Sequence, residues 1–340
     1  MNVRKMVLLV TFVLGGAAGN GNAAVGVPGH RDITFATHAA DCGVCHQQQY
    51  NEWRFAAGSD SPNAGFGSAH AITNTDPNYV SILPRVNPVI QTYCRGCHEG
   101  KDAWGVQDRL ANIPAISDIN KSEGTSCITC HFDGEKIVGK GQSIVSPFAP
   151  EFCGTCHNES TGMTNLYEEW KTDYIGGGGD KTCLDCHMAG GNHVMLGFNS
   201  PSFVKKAIVI SQPALPDTVS ANTPFDISYT LTNSGAGHSV PEDLFRLMRA
   251  RLSIVDSNGQ EVFSQETVYY KKKALLRENP ADTVIIKAHE TKNVTVPGVV
   301  IAAPGTYTVK LELLQNSNRV FVDRNTIAFM GATYSTIVVQ

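Results

Sequence analysis

Thr182-Cys183-Leu184-Asp185-Cys186-His187-Met188-Ala189-Gly190-Gly191-Asn192-His193 is the stretch that decides how this chain is read. Its centre is Cys-x-x-Cys-His. The same pattern stands at Cys42-Gly-Val-Cys45-His46, Cys94-Arg-Gly-Cys97-His98, Cys127-Ile-Thr-Cys130-His131 and Cys153-Gly-Thr-Cys156-His157. The five motifs use all ten cysteines of the 340-residue chain. Such spacing is the attachment signature of c-type haem, in which two thiols add to the porphyrin vinyl groups and the adjacent histidine ligates iron. Two intervening residues let both sulfurs reach one ring edge, and the next residue brings its imidazole beneath the iron. A disulfide framework gives no reason for a histidine after every second cysteine. Zinc ribbons use Cys-x-x-Cys pairs two at a time, which orphans one motif of five. The expectation is five covalently bound haems c. Cys42, Cys45, Cys94, Cys97, Cys127, Cys130, Cys153, Cys156, Cys183 and Cys186 are the attachment residues, and His46, His98, His131, His157 and His187 the proximal ligands.

The motifs fall between residues 42 and 187, roughly thirty residues apiece, which is far below the size of an independently cored domain. That is too little protein to insulate each porphyrin. The segment is expected to use the rings as its hydrophobic core, with short helices and loops wrapped around them and neighbouring rings in or near contact.

The second axial position decides the chemistry, because a protein ligand there closes the iron and an open position admits substrate. Of the eleven histidines, six lie outside the motifs. His38, four residues before Cys42, is poorly placed for its own motif and is expected to ligate another iron. His70 follows the small-residue loop Gly65-Phe-Gly-Ser-Ala69, and His193 follows Gly190 and Gly191. His30 lies near the mature N-terminus. His238 lies in Gly235-Ala-Gly-His-Ser-Val-Pro241, a turn-rich stretch able to reach across a domain interface. These five are the candidate distal ligands, and His289, beside a strand start, is not counted. Met163, Met188 and Met195 show no special spacing, so all-histidine ligation is expected. No motif ends in Lys, the visible mark of the catalytic haem in multihaem nitrite reductases.

Arg4 and Lys5, an apolar run over residues 6–14 and small residues ending at Ala23-Ala24 have the layout of a secretory signal over residues 1–24. The run is about nine residues where a spanning helix needs about twenty, so no stable membrane anchor is expected. The mature chain is expected in the periplasm or outside the cell. Loss of the leader removes two of 27 basic residues and none of 31 acidic ones, and haem propionates add further negative charge. An acidic surface of this kind excludes a nucleic-acid partner and fits a basic docking patch on a redox partner.

Tyr50-Asn-Glu-Trp53 and Tyr167-Glu-Glu-Trp170 repeat Tyr-x-Glu-Trp after the first and fourth motifs. Both are expected to open short helices. The repeat is compatible with aromatics packing on porphyrins and with a duplicated haem-binding unit. Together these residues resemble the exported multihaem cytochromes c related to the tetrahaem cytochromes of ammonia oxidisers. The resemblance rests on Cys-x-x-Cys-His followed by Tyr-x-x-Trp and Ser68-Ala-His70, on Thr182-Cys-Leu-Asp-Cys-His-Met188 followed by Gly-Gly-Asn-His193, and on Gly-Ala-Gly-His238 with Pro241. It spans roughly residues 30 to 245 and implies distal ligation by His70, His193 and His238. Some extracellular relatives stack into haem filaments, one subunit ligating a haem of the next.

Beyond residue 203 cysteines vanish and apolar residues alternate with polar ones, as in Phe225-Asp-Ile-Ser-Tyr-Thr-Leu-Thr232, Met248-Arg-Ala-Arg-Leu-Ser-Ile-Val255 and Tyr307-Thr-Val-Lys-Leu-Glu-Leu-Leu314. About seven such strands read as an antiparallel sandwich of immunoglobulin type over residues 203–340. Lys271-Lys-Lys273 is expected to be a solvated strand edge. The fold class is therefore α+β and multidomain: a haem-cored, mostly short-helix and loop multihaem cytochrome c domain over residues 25–202, then the β-sandwich. The expected function is electron transfer through closely packed, mainly bis-histidine haems to redox partner proteins or extracellular acceptors. A reductase with one open haem acting on a small nitrogen or sulfur oxyanion, and a self-assembling filament subunit, remain the alternatives.

Overall fold

A computed structural model describes residues 33–34, 37–55, 123–132, 137, 149–154, 156–158, 165–198, 200–242, 246–272, 279–316 and 328–340. The leader, His30, His70, the Cys94–His98 motif and Lys273 lie outside the described residues.

The third and fifth motifs wind into single helical turns, and their own second intervening residue helps to start them. In α3 (Cys127–His131) the N-cap Ser126 N–H donates to Thr129 Oγ1 at 3.1 Å, and in α6 (Cys183–His187) the Thr182 N–H donates to Asp185 Oδ2 at 2.7 Å. Each bond satisfies a donor that the helix cannot. The first helix, α1 (Ala39–Gly43), uses the same device, His38 N–H to Asp41 Oδ2 at 3.0 Å. The first and fourth motifs begin at the ends of α1 and α4 (Pro150–Gly154) and complete their turn with His46 N–H to Cys42 O and His157 N–H to Cys153 O, both 2.9 Å.

The two Tyr-x-Glu-Trp repeats lie on α2 (Gln47–Phe55) and α5 (Leu166–Glu169), the latter running on into a π-helical turn over Trp170–Ile175. The first repeat sits within its helix and does not open it. The Tyr50 N–H donates to His46 O at 2.9 Å, so the preceding motif already supplies the first turn. The last helix, α7 (Pro201–Ala207), starts at Ser200, whose side chain accepts from Phe203 N–H, with Pro201 at the first helical position.

α7 passes directly into β1 (Ile208–Ile210), the first of eight strands. The others are β2 (Thr218–Val219), β3 (Phe225–Asn233), β4 (Leu247–Val255), β5 (Glu261–Tyr270), β6 (Thr291–Val299), β7 (Gly305–Asn316) and β8 (Ala328–Val339). They form a three-stranded sheet, β1-β3-β6, and a five-stranded sheet, β2-β8-β7-β4-β5. Every pairing is antiparallel except β2 with β8. The alternation read from the sequence sets the inward faces: Ile227, Tyr229 and Leu231 on β3, Met248, Ala250, Leu252 and Ile254 on β4, and Val309, Leu311 and Leu313 on β7 are all buried. Residues of both sheets join one apolar core, and Tyr229 OH reaches Thr267 Oγ1 across it at 3.3 Å. The β4–β5 hairpin turns where Asp256 Oδ1 accepts from Asn258 N–H and Gln260 N–H and Gly259 takes φ +81°, a left-handed conformation that glycine adopts without strain.

The cysteine-rich part is built differently. Between residues 33 and 198 the buried apolar side chains among the described residues are Ala39, Trp53, Ile128, Phe132 and Phe198, and only Phe198 joins the core cluster. Among the described residues no helix is long and apolar enough to cross a membrane.

Leu311 has no exposed surface between β4 and β8. Leu311→Ala is expected to destabilise the β part by about 2–5 kcal/mol. A urea titration of the full chain followed by far-UV circular dichroism would read this as a lower midpoint.

Candidate functional site

The cysteine-rich residues form two units of the same construction. In the first, Trp53 on α2 donates its indole N–H to Thr125 O at 3.0 Å, two residues before Cys127. Its ring lies 6.0 Å from that of Tyr50, tilted by 33°. Tyr50 packs over Gly43, where a Cβ would come within 2.7 Å of the ring, so the first intervening residue of the motif has to be glycine. Glu52 Oε2 accepts from His193 N–H at 2.8 Å. That bond brings the segment after the last motif onto the first unit, and the His193 ring stands 6.1 Å from the His131 ring at 31°.

In the second unit Trp170 donates to Lys181 O at 2.9 Å, again two residues before a motif cysteine, Cys183. Tyr167 and Trp170 are 5.9 Å apart at 32°, and a Cβ on Gly154 would come within 2.8 Å of the Tyr167 ring. Glu169 Oε2 accepts from Ser239 N–H at 3.0 Å and from Ser239 Oγ–H at 2.6 Å. The neighbouring His238 ring stands 6.2 Å from the His187 ring at 10°. One bond measures the insertion between the two units. Tyr50 N–H reaches His46 O four residues back, whereas Tyr167 N–H reaches His157 O, ten residues back, at 3.0 Å.

His238 is carried by the loop after β3. Asn233, fully buried, donates through Nδ2 to His238 O at 2.8 Å and to Ile286 O at 3.2 Å, while its Oδ1 accepts from Ala236 N–H. Gly235 lies so close to α7 that a Cβ would stand 2.2 Å from Lys206 O. The loop therefore crosses from the sheets to the helices. Lys271, buried at the end of β5, binds Glu169 Oε1 at 2.6 Å and Glu242 O at 2.9 Å. This corrects the expectation for Lys271-Lys-Lys273: Lys271 is an interior counter-charge, and Lys272 pairs with Asp282 at 3.2 Å.

Imidazoles bound on opposite sides of one metal ion, at about 2 Å per metal–nitrogen bond, place their ring centroids roughly 6 Å apart. The His131–His193 and His187–His238 pairs both have that spacing. Their tautomers also fit. A carbonyl only accepts, so His187 Nδ1–H donates to Leu196 O at 2.5 Å and His238 Nδ1–H to Ser239 O at 3.0 Å, leaving Nε2 with the lone pair in each. Desolvation, with the His187 ring nearby, pushes His238 down to about 4. Desolvation also lowers His187 and, with His131, lowers His193. All three imidazoles are thus held neutral at pH 7, the form that ligates a metal.

The eight described cysteines form no disulfide among themselves. The Cys42 and Cys127 thiols are hydrogen-bonded, which lowers Cys42 and, with burial, pushes Cys127 far above the thiol range. Cys183 and Cys153 repeat the arrangement, Cys183 lowered and Cys153 raised. Cys130 is pushed up to about 12 by desolvation and by neighbouring Cys156. Paired thiols thus join the first motif to the third and the fourth to the fifth.

His38 caps α1, with Nδ1 against Glu123 Oε1 at 2.7 Å, and Glu123 Oε2 accepts from Ala39 N–H at 2.9 Å. His289 stacks on Tyr174 at 5.3 Å and 13°. Glu52, Glu169, Glu123 and Asn233 were not given a role in the sequence. The repeated Tyr-x-Glu-Trp was the signal for the first two.

No family model matches the chain, and no curated protein matches its sequence. Partial likenesses include the CARDB domain of a Pyrococcus furiosus protein, at 16% identity and TM-score 0.24, over 39% of this chain and 87% of that one. The C-terminal domain of wzt has 9% identity and TM-score 0.28, over 39% of this chain and 74% of that one. Neither score carries an argument. The chain is similar over 89% of its length to 99% of the penta-heme cytochrome c552 of Thermochromatium tepidum, with 16% identity and a TM-score of 0.61. That likeness establishes a multihaem-cytochrome-like fold, α+β, in which the helices are followed by two sheets.

Proposed function

We propose that the chain is an exported electron-transfer cytochrome that holds five haems c, one on each Cys-x-x-Cys-His motif. The observation that carries this reading is the two pairs of facing imidazoles, His131 with His193 and His187 with His238, each spaced for one iron between them. Bound haem iron supplies reversible exchange of single electrons. The chain's part would be to fix the paired sulfurs and to offer His131 with His193, and His187 with His238, as imidazoles that would hold a haem iron. Closed positions favour a carrier over a reductase. The paired thiols of the first and third motifs, and of the fourth and fifth, support close neighbours among the haems. His38, with Nδ1 engaged by Glu123, presents Nε2 as a distal ligand for a further iron, and His30 and His70 complete the candidates.

The β part is read as an immunoglobulin-type sandwich, supported by the β1-β3-β6 and β2-β8-β7-β4-β5 orders and by one core shared between the sheets. Its task here is to supply His238. The partners are redox proteins or extracellular acceptors, met in the periplasm or outside the cell, with self-assembly through haem contacts as a further mode.

The holoprotein is expected to exceed the mass of its mature polypeptide by five haem groups and to be low-spin throughout by ferric EPR. A smaller increment overturns the haem count, and a high-spin iron that binds nitrite or sulfite replaces the carrier with a reductase. His238→Ala is expected to turn one of the five haems high-spin; an unchanged optical and EPR spectrum removes His238 from the ligands. Chain made without haem attachment is expected to lose residues 25–202 rapidly to limited proteolysis while the β part survives, because the apolar core found among the described residues lies almost wholly in the latter.

A further inference from the structure

We infer that Glu52 and Glu169, the shared carboxylates of the two Tyr-x-Glu-Trp repeats, are positioning residues that set the gap between the facing imidazoles. The inference rests on the ligand reading above. Each carboxylate is followed at once by the tryptophan that pins the opposite side of its unit. Trp53 holds the backbone just before Cys127 and so the start of the helix carrying His131, while Glu52 holds His193 N–H. Trp170 holds the backbone just before Cys183 and so the start of the helix carrying His187, while Glu169 holds Ser239 N–H and Oγ–H. One short helical segment thus grips the proximal and the distal side together, at consecutive residues. Neither carboxylate hydrogen-bonds the ring it positions. Each fixes the backbone of the loop, which ordinary ring-orienting contacts do not.

A charged acceptor suits this task because its bonds to N–H donors are stronger than those of a neutral one. The loops need the restraint. Gly190 and Gly191 lead to His193 at φ +71° and +82°, and Gly235 and Gly237 flank the approach to His238. Glycine-rich loops of this kind have many alternative conformations. Glu169 additionally carries Lys271 at 2.6 Å, so the second clamp ties the β part to the helices.

The test uses holoprotein variants, with spin state read by ferric EPR and axial opening read by carbon monoxide binding to the reduced form. Glu52→Ala is expected to lose the low-spin signal of one haem, to gain carbon monoxide binding at that haem and to be restored by added imidazole. Glu52→Gln keeps an acceptor oxygen for His193 N–H and is expected to match the wild type. Removing Glu169 alone strands a buried ammonium, so the second variant is Glu169→Ala with Lys271→Met, expected to open a different single haem. Alanine variants with wild-type spin state and no carbon monoxide binding overturn the inference, as does Glu52→Gln behaving like Glu52→Ala. His193→Ala and His238→Ala run alongside. If these also leave every haem low-spin, the ligand reading itself fails; if they open an iron while the glutamate variants do not, only the positioning role fails.

Discussion

The described cysteine-rich residues do not make a hydrophobic core of their own, and the rest of the structure depends on that constraint. Ordering a residue costs roughly 1–2 kcal/mol of backbone entropy, and a handful of separated apolar side chains does not offset it over this length. The helices there run from four to nine residues, below the dozen or so that an isolated helix needs in water. On the proposed function, porphyrins bound through the motif sulfurs would supply the apolar area that these described side chains lack. Among the described residues, position is specified by point contacts: capping boxes at the motif helices, indole N–H bonds and carboxylate clamps.

Those contacts are used twice over. Gly43 and Gly154 admit the tyrosine rings, Trp53 and Trp170 bond carbonyls two residues before a motif, and Glu52 and Glu169 hold a histidine-bearing loop. The agreement survives six extra residues between His157 and Tyr167, because the bond from the tyrosine N–H to the histidine carbonyl is kept. A contact retained across an insertion marks a unit conserved in geometry within the one chain, and packing of aromatics alone gives no reason for it.

Much of this was legible in the sequence, and the reasons for the remainder are physical. Period-two alternation located β3, β4 and β7 to within two residues at each end, since an inward face and an outward face leave a direct trace. The motif spacing named the residues expected to bear chemistry. What it did not give was which motifs are neighbours. The first lies against the third although the second intervenes in sequence, and that pairing is written in Trp53 reaching Thr125, a contact across 72 residues. Lys271 was misread for the same reason. A run of lysines has the composition of a solvated edge, and only the approach of Glu169, 102 residues away, makes one of them an interior charge.

The order of the chain now has a mechanical sense. The first unit takes its facing imidazole, His193, from the segment that follows the second unit, and the second takes His238 from the β part that follows in turn. Each unit is closed by chain made after it. On the ligand reading such a series needs an end that requires no ligand, and the β part fits that need: its core is built from side chains, from Ile227 and Leu231 to Leu311 and Ile337, with Phe198 from the segment before it. It can therefore hold the 233–239 loop rigidly through Asn233 without help from a bound group. Placing the self-sufficient fold last gives the helical units a fixed wall to close against, and the buried Glu169–Lys271 pair is where that wall is joined to them.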